Sequence, residues 1–235
     1  MYCYAGDIEK KKTVDMMTIN DYINLFSQAY NIGCKSVIIT GALSRAEPLL
    51  SKKLIPILNH LDSIGMISVI FTNLSVLGDE NLCQRIHGLS CENMTEYLYT
   101  HKVSLMISCD SITETIYNKI VNVNDQFKCF TQAVKNVENA GYLKPYAKYD
   151  NELISRVGIS TVVSKDNYHE LSKMKEYFHS KNWQYICKFP SLMGDALKNK
   201  ESFFNPSEAS NLRHEIQKHS DKPETLSLIY NNQKY

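Results

Sequence analysis

The stretch Thr18-Ile19-Asn20-Asp21-Tyr22-Ile23-Asn24-Leu25-Phe26-Ser27-Gln28-Ala29-Tyr30-Asn31-Ile32-Gly33-Cys34-Lys35-Ser36-Val37-Ile38-Ile39-Thr40 changes period once along its length. Ile19, Tyr22, Ile23, Phe26 and Tyr30 recur at helical spacing and fall on one face. Thr18 opens that pattern, with Asp21 three residues on in a capping-box-like arrangement, and Gly33 closes it. Ser36 to Thr40 is then a short β-branched run, suited to a buried strand of a parallel sheet.

The same helix, glycine, strand unit recurs downstream. A second helical pattern starts near Pro56, carries Ile57, Leu58, Leu61 and Ile64 on its face, and stops at Gly65 before the run Ile67 to Thr72. A third passes through Phe127, Phe130, Val134, Val137 and Ala140 to Gly141, and a fourth runs from Asp166 through Leu171, Met174 and Phe178. Further strand-like runs lie at Val103 to Cys109, Val157 to Val163 and Tyr185 to Phe189. Strands thus begin about 30 to 50 residues apart, the spacing of βα crossovers, and the two longest gaps hold extra segments at Gly78 to Thr100 and Lys144 to Ser155. With no low-complexity linker or composition shift, residues 1–235 read as a single α/β domain.

Composition narrows the function classes. Twenty-six Lys+Arg against 25 Asp+Glu leave a net charge of +1, so no strong field points to nucleic acid or an anionic membrane surface. Apolar runs such as Val37-Ile38-Ile39 and Leu54 to Leu58 fall far short of the roughly 20 residues that span a bilayer. Lys10-Lys11-Lys12 has no apolar stretch behind it, as a secretory signal would, and a cytoplasmic location is expected. Seven cysteines at irregular spacing, with no C-x-x-C pair, read as reduced thiols.

In α/β barrels and open sheets chemistry gathers at the C-terminal ends of the strands. Those ends carry Gly41, Ala42 and Glu47-Pro48 after the first run, Thr72-Asn73 after the second, Ser108 and Asp110 at the third, and Ser160, Thr161 and Asn167 at the fourth. Each polar residue reads equally as a helix cap or as a ligand to a nucleoside. Lys188, near the end of the last run, admits a Schiff-base reading against the commoner one of a snorkelling lysine. The seven histidines fall mostly at polar helix positions and form no metal-ligand pair.

Taken with Tyr2-Cys3 at the start, these segments resemble the radical SAM superfamily, in the branch that includes molybdenum-cofactor synthesis enzymes and peptide-modifying maturases. Tyr2 and Cys3 match the last two positions of the cluster loop C-x-x-x-C-x-aromatic-C. Gly41, Ala42 and Glu47-Pro48 resemble its G-G-E-P segment, Phe71-Thr72-Asn73 its T-N-G strand end, and Val157 through Asn167 its fifth-strand segment. The resemblance implies a partial (βα)6-type TIM-like barrel of parallel strands, first strand missing, with the chain cut inside the cluster loop. It implies a [4Fe-4S] cluster with Cys3 as one ligand, and S-adenosylmethionine bound by Gly41, Ala42, Glu47, Thr72, Asn73, Ser108, Asp110, Ser160 and Asn167. The implied partners are a small-molecule or peptide substrate and an electron donor such as flavodoxin or ferredoxin, with neither nucleic acid nor membrane.

Three features depart from that pattern. One of three cluster cysteines is present, Leu43-Ser44-Arg45 interrupts the glycine-rich segment, and the auxiliary-cluster cysteines of many peptide-modifying members are missing before Tyr235. The alternative expectation is a barrel without a cluster that binds a nucleotide-like ligand or a protein partner.

Overall fold

The computed structural model describes residues 17–41, 47–149, 152–190 and 198–221. Five parallel strands form its sheet: β1 (Ser36–Ile39), β2 (Ile67–Thr72), β3 (Ser104–Ser108), β6 (Val157–Val162) and β7 (Gln184–Lys188), in the order β1-β2-β3-β6-β7. Between β3 and β6 the strands β4 (Ala147–Tyr149) and β5 (Glu152–Ile154) pair antiparallel as a separate hairpin. Each strand of the main sheet lies beside its predecessor, so the order never reverses, as it must in a doubly wound sheet. The parallel α/β sheet expected from the sequence is present, with strand bounds within about two residues of those read from the β-branched runs.

The elements form where local chemistry favours them. Helix α1 (Ile19–Asn31) begins at Thr18, whose hydroxyl accepts from Asp21 N–H at 3.2 Å while Asp21 accepts from Thr18 N–H at 2.7 Å, the capping box expected. Helix α2 (Leu54–Ser63) starts two residues before Pro56, because a proline in the first turn gives up an N–H that would have no helical partner. The inserted stretch after β2 is helical: α3 (Ser75–Gly78), α4 (Glu80–His87) and α5 (Cys91–Thr100). Gly78 lets α3 lie directly on α7 (Gln126–Val137), since a Cβ there would stand 2.0 Å from the carbonyl oxygen of Cys129.

Two helices were not read from the sequence, α6 (Glu114–Val121) and, after α8 (Leu171–His179), α9 (Pro206–His219). The second carries its own capping box, Asn205 with Glu208, and Pro206 in its first turn. Helix α8 begins at Leu171 rather than Asp166, behind a short turn at Tyr168–Glu170.

Register divides the sheet into two faces. Ile39, Ile70, Leu105, Ile107, Val157, Ile159 and Tyr185 enter one apolar core with Leu58, Leu61, Leu98, Val134 and Phe178 of the helices. The opposite face carries Ile38, Phe71, Met106, Ser108, Ser160, Ile186 and Lys188, and opens toward its C-terminal end, where Ile38, Ser108 and Lys188 are exposed. The outer edge of β7 is covered by the residues that follow α9. Tyr185 N–H donates to Asp221 Oδ2 at 2.6 Å, Asp221 N–H donates to Tyr185 O at 2.8 Å, and Cys187 N–H donates to Ser220 Oγ at 2.7 Å.

The hairpin β4–β5, which fills the extra segment Lys144 to Ser155, hangs at the opposite end of the sheet. Ser155, directly after β5, donates its N–H to Asn182 O just before β7, so the hairpin is remote from the C-terminal strand ends. No helix among the described residues is long and apolar enough to cross a membrane.

Candidate functional site at the strand ends

The nine expected ligand-binding residues divide by direction. Ala42 lies outside the described residues, as does Cys3, while Gly41 is half-buried just beyond β1. Ser108 pairs in register with Ser160, and Asn73 stands one step past the Thr72–Ile107 pair, so Asn73, Ser108 and Ser160 form a polar row across three adjacent strands. Ser108 and Asn73 are exposed, and Ser160 is 6% exposed on the same side. Two residues beyond Ser108, Asp110 accepts a hydrogen bond on Oδ1 from Val162 N–H at 2.7 Å, and Val162 pairs with Lys188. Burial pushes the Asp110 carboxyl up to about 6, against the Val162 N–H and the Lys188 ammonium, which pull it down.

Glu47, Thr72 and Asn167 turn inward instead and serve as braces. Glu47 Oε1 accepts from Leu49 N–H at 3.1 Å and Oε2 from Asn73 N–H at 2.8 Å, while the Thr72 side chain bonds the same carboxylate. Burial raises its pKa while these donors oppose the shift. The Glu47 carboxylate therefore ties the loop after β1 to the end of β2. Asn167 is fully buried, with Nδ2 donating to Asp110 O at 2.7 Å and Val162 O at 2.9 Å and Oδ1 accepting from Ser164 N–H at 2.8 Å. It locks the ends of β3 and β6 together and holds the Asp110 backbone in place.

Leu74, where the resembled strand end has glycine, adopts φ +63°, a left-handed conformation that side chains disfavour. Its side chain is completely buried in the core, and that burial offsets the strain. The sequence reading missed Glu170, a buried carboxylate that accepts hydrogen bonds from the hydroxyls of Ser111 and Thr113. Nothing local marks it, since its partners lie 57 and 59 residues away.

Metal ligands are a separate question. Among the described residues no group of three or more His, Cys, Asp or Glu is placed to hold a metal ion. Cys34 is exposed before β1, and Cys83, Cys91 and Cys109 are buried with thiol pKa values pushed up by desolvation. The described residues therefore present a polar row at the strand ends and, among them, no three-ligand group. The histidines serve local contacts: His60 with Ser27, His87 with Leu49 O, His101 with Asp62 and His179 with Asp221.

With this geometry in view, the chain can be set beside known proteins. No family model and no curated protein matches it. Among solved structures it is similar to SuiB of Streptococcus suis, determined bound to precursor peptide SuiA, with a TM-score of 0.65 and 14% identity over 93% of this chain. The chain shares the fold of that structure over the matched residues. The chain spans 42% of the length of that structure, and at this identity the likeness shows the fold alone.

Proposed function

We propose that residues 1–235 are the core domain of a radical SAM enzyme, with S-adenosylmethionine on the open face of the sheet. The observation that carries this reading is the polar row Asn73–Ser108–Ser160 at the C-terminal strand ends of a radical SAM-like fold, on the face turned away from the helices. Amide and hydroxyl groups so placed donate to and accept from ribose hydroxyls and an adenine edge. Asp110 supplies an acceptor at the next position, and Glu47 and Asn167 hold the loops that present the row. Cys3 is read as one thiolate ligand of a [4Fe-4S] cluster, which in such enzymes supplies the electron that cleaves bound S-adenosylmethionine. A small-molecule or peptide substrate, a flavodoxin- or ferredoxin-type electron donor and a cytoplasmic setting complete the proposal.

The test is equilibrium binding of S-adenosylmethionine to the chain, by calorimetry, with and without Ser160→Leu. Binding in the micromolar range that weakens at least 10-fold in the variant is expected. No binding to wild type at millimolar ligand would defeat the reading. A second reading, a barrel without a cluster that binds a nucleotide-like ligand or a protein partner, is favoured by Cys3 being the one cysteine of the cluster-loop pattern in the sequence. Iron and sulfide analysis after anaerobic reconstitution separates the two: S-adenosylmethionine binding with no iron retained selects the second.

A further inference from the structure

The inserted helices between β2 and β3 touch the strand-end site through the histidine that ends α4. The helix closes there because Gly88 takes up φ +69° directly after His87 and donates its N–H to Gln84 O at 2.9 Å. Cys83, one turn earlier, is buried in the core, so α4 is a fixed support for the ring.

His87 lies half-buried with Nε2 2.7 Å from the carbonyl oxygen of Leu49, 38 residues back in the sequence. A carbonyl oxygen only accepts, so the proton of this bond is on Nε2. Burial lowers the His87 pKa, against the bond to Leu49 that raises it, and the ring is neutral at neutral pH with its proton on that nitrogen. Leu49 is completely buried, and side chains meet both of its backbone polar groups: His87 its carbonyl, and Glu47 Oε1 its N–H at 3.1 Å. The other oxygen of Glu47 accepts from Asn73 N–H at 2.8 Å. His87, Leu49, Glu47 and Asn73 thus form one line of bonds from the inserted helix to the first member of the polar row. Without the His87 donor the Leu49 carbonyl is left buried and unpaired, a cost that rotating the short turn Pro48–Leu50 toward water would relieve. Such a rotation moves the Glu47 carboxylate, and with it the clamp on Asn73.

We infer that His87 is a positioning residue for the ligand site, holding the Asn73 end of the polar row in place through Leu49 and Glu47. Its bearing on ligand affinity rests on the function proposed above, while its hold on Asn73 does not.

The test compares the whole wild-type chain with His87→Phe, which keeps a planar ring but has no donor, and with His87→Gln, whose amide N–H returns one. Two quantities are read: deuterium uptake by peptides covering residues 47–51 and 71–75, and S-adenosylmethionine affinity by calorimetry. In His87→Phe, exchange over both stretches should speed about 10-fold with α8 unchanged, and S-adenosylmethionine should bind about 5-fold more weakly. His87→Gln should return both to within about 2-fold of wild type, a rescue that packing alone would not give, since Phe fills the place of the ring better than Gln. Gln84→Ala, on the exposed side of α4, should leave both unchanged. Unaltered exchange over 71–75 in His87→Phe, no recovery in His87→Gln, or faster exchange with unaltered affinity overturns the inference. A wild-type chain that does not bind S-adenosylmethionine defeats the proposed function instead, and exchange then decides the hold on Asn73 by itself. Should His87→Phe not fold, as judged by circular dichroism, nitrogen-15 NMR of the wild-type histidines takes its place. A neutral His87 ring protonated on Nε2 is expected, and one protonated on Nδ1 overturns the inference, because it has no proton to give the Leu49 carbonyl.

Discussion

Asp110 shows how one residue at the strand ends couples fold to pH. Its carboxyl titrates at about 6 in the folded chain, mainly because burial disfavours the charge, against about 3.9 in an unfolded chain. A raised folded pKa means that the associated stability is complete below about pH 3.9 and is lost as pH rises through about 6. Asp110→Asn keeps an oxygen to accept the Val162 N–H and removes the charge. Urea unfolding at pH 7.5 should therefore show the variant more stable by on the order of 1 kcal/mol, discounted because the side chain is half-buried, with the gain vanishing near pH 4. Identical midpoints at pH 7.5 would show that the charge carries no such cost. Glu47 makes the complementary point about what a sequence reveals. Its place beside Pro48 marks it as a candidate, but both its oxygens are committed to backbone N–H groups, one of them 26 residues away. That commitment depends on the packing of β2 against the loop after β1, which no local pattern encodes.

At the scale of elements, the parallel strands were legible because each is a short β-branched run closed by polar residues, and a parallel strand buried on both faces leaves that continuous signature. Helix α1 was legible from its capping box, although none of its residues is fully buried. Helix α6 escaped because it is only 8 residues long, and the hairpin β4–β5 because its strands are 3 residues each, too short for a period to register. Between elements, the tightest demand is at Gly78. A methyl group there would meet backbone rather than a movable side chain, with the Cys129 carbonyl carbon 2.8 Å away as well as its oxygen. Gly78→Ala should thus force α3 away from α7 and cost about 3 kcal/mol by denaturant unfolding. Circular dichroism would show helix content nearly unchanged, because the loss is in packing. A variant as stable as wild type would mean that α3 can shift without penalty.

For the whole molecule, the two faces of the sheet divide the work. One is sealed by the helices into a core, and the other ends in a polar row, Asn73, Ser108 and Ser160, whose side chains have no apolar cover and few hydrogen-bond partners among the described residues. Asn73 Oδ1 accepts from Ser75 N–H at 2.9 Å, and among the described residues its side-chain amide N–H groups face the exposed side. A folded chain that keeps such a row at its strand ends is more stable when a ligand occupies it, because the unfolded chain offers no equivalent site. If S-adenosylmethionine is that ligand, a concentration 100-fold above its dissociation constant adds about 2.7 kcal/mol, which for a chain of this length raises the melting temperature by about 5 to 10 °C. The shift should be smaller with S-adenosylmethionine in the Ser160→Leu variant, and absent with methionine alone, which carries no ribose for the row to hold. Equal shifts with methionine and with S-adenosylmethionine would place the contacts elsewhere. The nucleoside end would then have no role in binding, and the proposed place of the ligand on this face would fall.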